Sequence, residues 1–424
     1  MGVEPGSEFE LRLEAVRLVI SKEMSTAGAA RWAGRSREWL HKWLRRYRAD
    51  SEAGLTDRSR APREPARTDA DTTAKVIEVR DRLAQHRYAS VGGIAILAEL
   101  ERQGWLRLPS VATIERIVAA AGKTRKNQKQ LRSGKRLGLP EVDLPGVWQQ
   151  TDWIQDRFLT GGTRFQSLQI IDVGSQGMAA DQYDRRKVRN TVRFLTGRAW
   201  PFLSIPAVIT VDNAFCATTH PYNPFTEFVR LCLFFGTEVV VAPPGKHGWT
   251  NQAEAINNLW QQRVLRHHYQ SLDHLKAANQ DACHWFNHDR PVLDPTLCGT
   301  RYPAQHIANH HHQLCWLPDG FTIDGYLNKK NQLTLPLTAG QITYLRYITE
   351  QHTIHIGTQT WHLPETLPTA SLVTATITTH NHQLTIRHLG ETIATHPYPI
   401  NQPIHQPHYP PRPHPLLSAM SRGP

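Results

Sequence analysis

Apolar residues return at three- and four-residue spacing through FELRLEAVRLVI (9–20), STAGAARWAG (25–34) and SREWLHKWLRRYR (36–48). The spacing predicts three helices, with Ser25 and Ser36 as N-caps and Gly34 as a stop before the third. A short helix, a tight turn and a basic helix make a helix-turn-helix over 7–50, and in that motif the second helix enters the major groove. Trp39, Leu40, Trp43 and Leu44 fall on its core side, which leaves Arg37, His41, Lys42 and Arg45 as exposed candidates for base or phosphate contact. Residues 51–70 have the Ser, Pro, Arg and Asp content of a linker. Helical spacing resumes over 71–122 in DTTAKVIEVRDRLAQ, SVGGIAILAELERQG and SVATIERIVAAAG, with Ser90 and Ser110 as caps and Gly104 and Gly122 as terminators. This second unit also reads as helix-turn-helix-like. Its last helix carries only one basic residue, Arg116, so packing or dimer contact stands beside base reading there.

From Val147 the period shortens. VWQQTDWIQ, TRFQSLQIIDVGS and GMAADQYD predict three strands; RKVRNTVRFLTGRA, PAVITVDNAF, TEFVRLCLFFG, TEVVVAPP and NQAEAINNLWQQRVLRHHYQ then alternate helix and strand. Three antiparallel strands followed by that alternation describe a ribonuclease-H-like α/β core with a mixed sheet over 146–305. Beyond Gly320 the stretches FTIDGYLNKKNQLTLPL, ITYLRYI, HTIHIGTQTWHL, LVTATITT and HQLTIRHLGETIATH alternate with a period of two, which predicts a small β-barrel over 320–396. The Pro/His-rich residues 397–424 are expected to be a disordered tail. The expected fold class is therefore multidomain: all-α helix-turn-helix units, a central α/β ribonuclease-H-like core and a C-terminal small β-barrel.

Charge sharpens this plan. The net charge is +12, and residues 1–145 hold 28 Lys and Arg against 19 Asp and Glu. Such a bias attracts polyanions by releasing their condensed counterions. Residues 123–136, KTRKNQKQLRSGKR, have seven basic residues and no acid, so Lys123, Arg125, Lys126 and Lys129 are candidates for tracking phosphates within a basic linker over 123–145. Lys329, Lys330, Arg346 and Arg387 suit DNA contact by the barrel, with a structural cap as the other reading. The five cysteines form no CxxC pair, and His310, His311, His312 and Cys315 lack the separated pairs of a closed zinc site. No apolar run approaches a membrane span and the first residues, MGVEPGSEFE, are acidic; a cytoplasmic, nucleoid-associated protein is expected.

Three acids carry the candidate chemistry. Asp152 and Asp212 lie in or at the end of apolar strand-like runs, and Glu254 lies near the start of a helix-like one. Carboxylates are hard oxygen ligands, so a trio of them suits Mg²⁺ or Mn²⁺, two ions per site, in phosphodiester chemistry. Asp172 could line the site or end a strand, Asp156 falls in an expected turn, and Glu238 is expected to be exposed. Lys246, His247, Arg263 and Arg266 flank Glu254 as candidate phosphate contacts, and Trp249 could stack on a base or anchor its loop.

The phrases KHGWTNQAEAINNLWQ and HWFNHDRPVLDPTLCGTRYPAQ, with AARWAGRSREWLHKWLRRYR and GLTDRSRAP upstream, resemble the DDE transposases of bacterial insertion sequences, whose catalytic core is of the retroviral-integrase type. The resemblance extends to about residue 305. It implies that Asp152, Asp212 and Glu254 are the catalytic, metal-binding trio. It also implies metal-dependent cleavage at mobile-element ends, then transfer of the freed 3′-hydroxyl into target DNA. The implied partners are double-stranded DNA, as terminal repeats and target, and further copies of the chain in a dimer or larger multimer; nothing speaks for or against an ATPase helper. One departure is the 41 residues between Asp212 and Glu254, more than that family usually has, with the surplus placed in CATTHPYNP. The alternatives are a catalytically silent helix-turn-helix regulator derived from a transposase, and a hydrolase that cuts without strand transfer.

Overall fold

The computed structural model describes residues 7–57, 68–124, 139–216, 223–245, 247–329 and 333–416, and divides the chain into two compact units, Met1–Asp69 and Ala70–Pro424. In the first unit, α1 (Glu8–Ile20), α2 (Thr26–Trp32) and α3 (Arg37–Asp50) form where the periodicity places them. The hydroxyls of Ser25 and Ser36 accept hydrogen bonds from the Gly28 and Trp39 amides, satisfying N–H groups that a helix start leaves unpaired. Leu40, Trp43 and Leu44 are buried with Ala15, Val16, Ala29 and Ala30. The expected linker begins later than its composition suggests. Ser51–Leu55 is a 3₁₀ turn whose Leu55 is fully buried, and the Leu55 carbonyl accepts from the Arg12 guanidinium at 3.0 Å. Arg12 also lies 4.1 Å from the centre of the Trp43 ring, so a buried cation ties the turn to the helical core.

The second unit opens with α4 (Ala70–Gln85), α5 (Gly93–Arg102) and α6 (Val111–Ala120). Ser110 caps α6 through the Thr113 amide, but Gly92, not Ser90, precedes α5. These helices dock on the α/β body: the Tyr88 hydroxyl donates to the Ala278 carbonyl, and Arg301 makes a two-armed ion pair with Glu101.

Among the described residues, the body is one nine-stranded mixed sheet. Strands β1 (Trp148–Phe158), β2 (Arg164–Asp172) and β3 (Met178–Tyr183) are antiparallel neighbours. After α7 (Val188–Phe194) and α8 (Trp200–Leu203), β4 (Val208–Val211) runs parallel to β1. After α9 (Glu227–Phe234), β5 (Glu238–Val241) runs parallel to β4. Helix α10 (Asn251–Arg263) and helix α11 (Leu272–His288) cover one face; Ala253, Ile256, Trp260 and Phe286 bury against Ile154, Phe165, Ile171 and Met178. The edge of β3 is closed by Asn287, whose side chain accepts from the Met178 amide at 2.8 Å and donates to the Met178 carbonyl at 2.9 Å. That asparagine belongs to the WFNHDRP phrase, and its work is to satisfy an edge backbone.

The expected small β-barrel is replaced by an extension of this sheet. β6 (Gln341–Tyr347) pairs parallel to β5, and β9 (Leu372–Thr378), β10 (Gln383–His388) and β11 (Glu391–Pro397) follow outward, giving the order β11-β10-β9-β6-β5-β4-β1-β2-β3. Among the described residues, only β7 (Thr353–Ile356) and β8 (Gln359–His362) form a separate hairpin. Alternation along a strand reveals its two faces and not its neighbour. Here the EVVV strand β5 would otherwise end the core sheet with an unpaired apolar edge, and β6 supplies the missing ladder. One buried cluster consequently runs from Trp153 and Ile209 through Val239 and Ile342 to Ile386.

The described part of the Pro/His-rich segment, through Leu416, docks on the body, against the expected disorder. The His408 amide donates to the Phe234 carbonyl, His405 exchanges backbone hydrogen bonds with Leu337 and Ala339, and Arg412 donates to the Pro206 carbonyl. Leu416 is fully buried beside Trp148 and Val208. Gly236, at φ +70°, has Tyr409 and Pro410 against it, so a side chain there would collide with backbone. No helix among the described residues is long and apolar enough to cross a membrane.

Candidate active site

Strand register brings the first two acids together. Gln150 is the last residue of β1 in register with β4, opposite Thr210; Asp152 stands two residues further along β1, and Asp212 is the first residue past the end of β4. Because side chains alternate, Asp152 shares its face with Gln150, and this is the face that α10 covers. Two side chains set the helix there. Gln150 Oε1 accepts from the Gln252 and Ala253 amides at 3.0 and 3.2 Å, fixing the first turn of α10, and Asn257 Nδ2 donates to Asp152 Oδ2 at 3.0 Å. Glu254 lies between these anchors, in the first turn.

Asp152 is mostly buried, and burial pushes its carboxyl up to about 6, helped by the charges of Asp212 and then Glu254; the Trp153 amide, donating at 2.8 Å, pulls the other way. Glu254 Oε1 accepts from Thr250 Oγ1 at 3.4 Å. Among the described residues no three His, Cys, Asp or Glu side chains are gathered closely enough to hold one ion. The donor chemistry nevertheless fits hard divalent cations: the charge load on Asp152 comes from two further carboxylates, and a cation placed among them would relieve it.

Asp212 caps the 3₁₀ turn Asn213–Phe215, its Oδ1 accepting from the Ala214 amide at 3.0 Å. Arg186, which sequence reasoning missed, approaches the same oxygen at 3.4 Å and stands 5.1 Å from the Phe215 ring centre. Asn213 Oδ1 accepts from Arg346 at 2.7 Å.

The competing acids resolve into structural roles. Asp172 is fully buried, and accepts from the Ser175 amide and hydroxyl and the Gly146 amide; it ends β2 and pins the turn. Asp156 lies within β1, where Gln166 and Arg164 engage it, not in a turn. Glu238 is largely buried, accepting from Thr343 and paired with His414, where exposure was expected. Trp249 is buried with Trp148 and Val240 and anchors its loop.

The expected DNA contacts divide. Arg37, His41, Lys42 and Arg45 are all exposed on α3. Lys123 pairs with Asp81, which holds that carboxyl below its usual range. Arg263 donates to Ser90, and Arg266 to the Arg87 carbonyl, so both join α10 and its trailing loop to the second helical unit. Lys329 and Arg387 are exposed, whereas Arg346 is buried. Arg125, Lys126, Lys129, Lys246 and Lys330 lie outside the described residues, as does the side chain of His247. Asn257 had a readable signal, three residues from Glu254 on the same helix face; Arg186 and Arg346 had none.

A family described as a helix-turn-helix domain matches residues 11–63. Among solved structures, the chain is similar to one in the simian T-cell lymphotropic virus intasome in complex with a PP2A regulatory subunit, at 17% identity and TM-score 0.35, covering 66% of this chain and 87% of that one. It is also similar to the HTLV-2 integrase catalytic core in complex with magnesium (20%, TM-score 0.28, 39% of this chain and 97% of that one). The BIV integrase catalytic core matches at 13%, TM-score 0.29, over 40% of this chain and 97% of that one. At these TM-scores the superpositions add nothing to the assignment of the site, which rests on strand order and on the placement of the carboxylates.

Proposed function

We propose that the chain is a DDE-type DNA transposase of a bacterial insertion sequence, a polynucleotidyl transferase that cuts at the ends of its element and joins the freed 3′-hydroxyl to target DNA. The observation that carries this reading is that the β1/β4 register brings Asp152, within β1, toward Asp212, just past the end of β4, under a helix that Gln150 and Asn257 fix with Glu254 on it. Divalent ions bound there, Mg²⁺ or Mn²⁺, would supply an activated oxygen nucleophile and neutralise charge at the leaving oxygen. The chain's own residues do the rest. Asp152 presents its carboxylate from within β1 and Asp212 from the turn after β4, Asn257 orients Asp152, and Arg186 offers a cation beside Asp212 for a phosphate oxygen. The exposed basic face of α3 would hold DNA in its major groove, with Arg37, His41, Lys42 and Arg45 in contact. Two element ends must be held together, which requires a dimer or a larger assembly on DNA.

The test is a joining assay. The purified chain is incubated with a labelled, pre-cut element end, target plasmid and Mg²⁺, and covalent joining of the label to the plasmid is scored. Joining that needs the 3′-hydroxyl supports the reading; DNA binding with neither joining nor cutting would instead identify a silent regulator.

A further inference from the structure

The C-terminal strand β6 brings a buried cation to the turn that carries Asp212. Val211, Val241 and Tyr344 stand level across β4, β5 and β6. Two residues on, beyond the end of β5, Arg346 faces Asn213. Its guanidinium donates to the carbonyls of Ala242, Leu345 and His355 and to Asn213 Oδ1, and lies 4.9 Å from the centre of the Tyr344 ring. The residue is 5% exposed, and none of these partners is a carboxylate. Burying a cation among neutral acceptors is costly, so an ordinary structural contact gives little reason for it. Of its acceptors among the described residues, only Asn213 is a side chain, and Asn213 is the first residue of the turn that Asp212 caps.

We infer that Arg346 is a positioning residue for the metal site: by gripping Asn213 it fixes the turn, and through the turn the direction of the Asp212 carboxylate. The inference rests on the reading of Asp212 as a metal ligand. It also makes the C-terminal extension part of the active site, so that a fragment ending near residue 305 would lack one of the site's supports.

The experiment uses the full chain and Mn²⁺ alone, with binding followed by the loss of the free-ion electron paramagnetic resonance signal. Asn213→Ala removes the single side-chain acceptor and leaves Arg346 its backbone partners, which avoids the folding risk of emptying the buried site. We expect Mn²⁺ affinity to fall about tenfold, the scale on which outer partners of metal ligands act. Asn213→Asp restores an acceptor oxygen and should recover most of the loss. Ile386→Val, a buried change on distant β10, serves as the control: it should lower Tm with Mn²⁺ affinity unchanged. Wild-type affinity in Asn213→Ala overturns the positioning role, as does a loss that Ile386→Val reproduces at equal Tm. A wild type that binds no Mn²⁺ overturns the metal-site reading itself, and the two failures are thereby told apart.

Discussion

Asn257 donates to Asp152 Oδ2 at 3.0 Å from one turn beyond Glu254 on the same helix, so the helix that carries the third acid also orients the first. Asn257→Ala should therefore lower the cleavage rate by about 10- to 100-fold with little change in DNA affinity, the usual range for an outer partner of a metal ligand. Cleavage kinetics beside a DNA-binding titration would check this; an equal loss in both would mean that the variant had simply unfolded.

Asp152 gives a pH dependence with a definite sign. Its carboxyl is raised to about 6 in the folded chain from an ordinary 3.8, so without metal the folded state is penalised as pH rises through that window, and no penalty exists below it. Asp152→Asn should stabilise the metal-free protein by roughly 1–3 kcal/mol above about pH 7. The gain should vanish below about pH 4, where the wild-type carboxyl is protonated in both states. Denaturant titrations of both proteins at the two pH values decide the matter; a variant less stable at neutral pH contradicts the crowding of charge at Asp152.

On α3, Lys42 and Arg45 are exposed while Leu40, Trp43 and Leu44 hold the core. Lys42→Ala and Arg45→Ala should each weaken DNA binding without altering Tm. Each phosphate deprived of its cation should reduce the slope of log K against log salt by about 1. Unchanged slopes in both would move the DNA-binding surface off this helix.

The helices were legible because a 3.6-residue period and serine caps are local signals. The first five core strands were legible because alternation is a local signal too. What stayed hidden was partnership. ITYLRYI shows two faces but not that β6 would close the apolar edge of β5, and so a barrel was expected where the sheet grows. The PHYPPRPHP stretch has the composition of a disordered chain, yet Arg412 and His414 find the Pro206 carbonyl and Glu238. Arg346 and Arg186 reach Asn213 and Asp212 across more than a hundred and about 25 residues of chain respectively, and no periodicity reports contacts of that kind.

Deleting residues 403–424 provides a check on the docked segment. The deletion removes the hydrogen bonds to Phe234, Leu337, Ala339 and Pro206 and uncovers apolar surface around Trp148. A drop of about 2 °C or more in Tm is expected, since losing ~1 kcal/mol shifts Tm by about 2–4 °C in a domain of 150–250 residues. Removing a disordered tail would leave Tm unchanged.

The most direct test of the central claim is Mg²⁺-dependent cleavage of end-containing DNA by wild type and by Asp152→Asn, Asp212→Asn and Glu254→Gln, each also assayed for DNA binding. Three interdependent metal ligands predict that every variant binds DNA as the wild type does and that each loses cleavage by at least about a thousandfold, because the metal's share of the rate is lost with any one of them. A Glu254→Gln variant as active as wild type would contradict the account, since Glu254 would then stand outside the site.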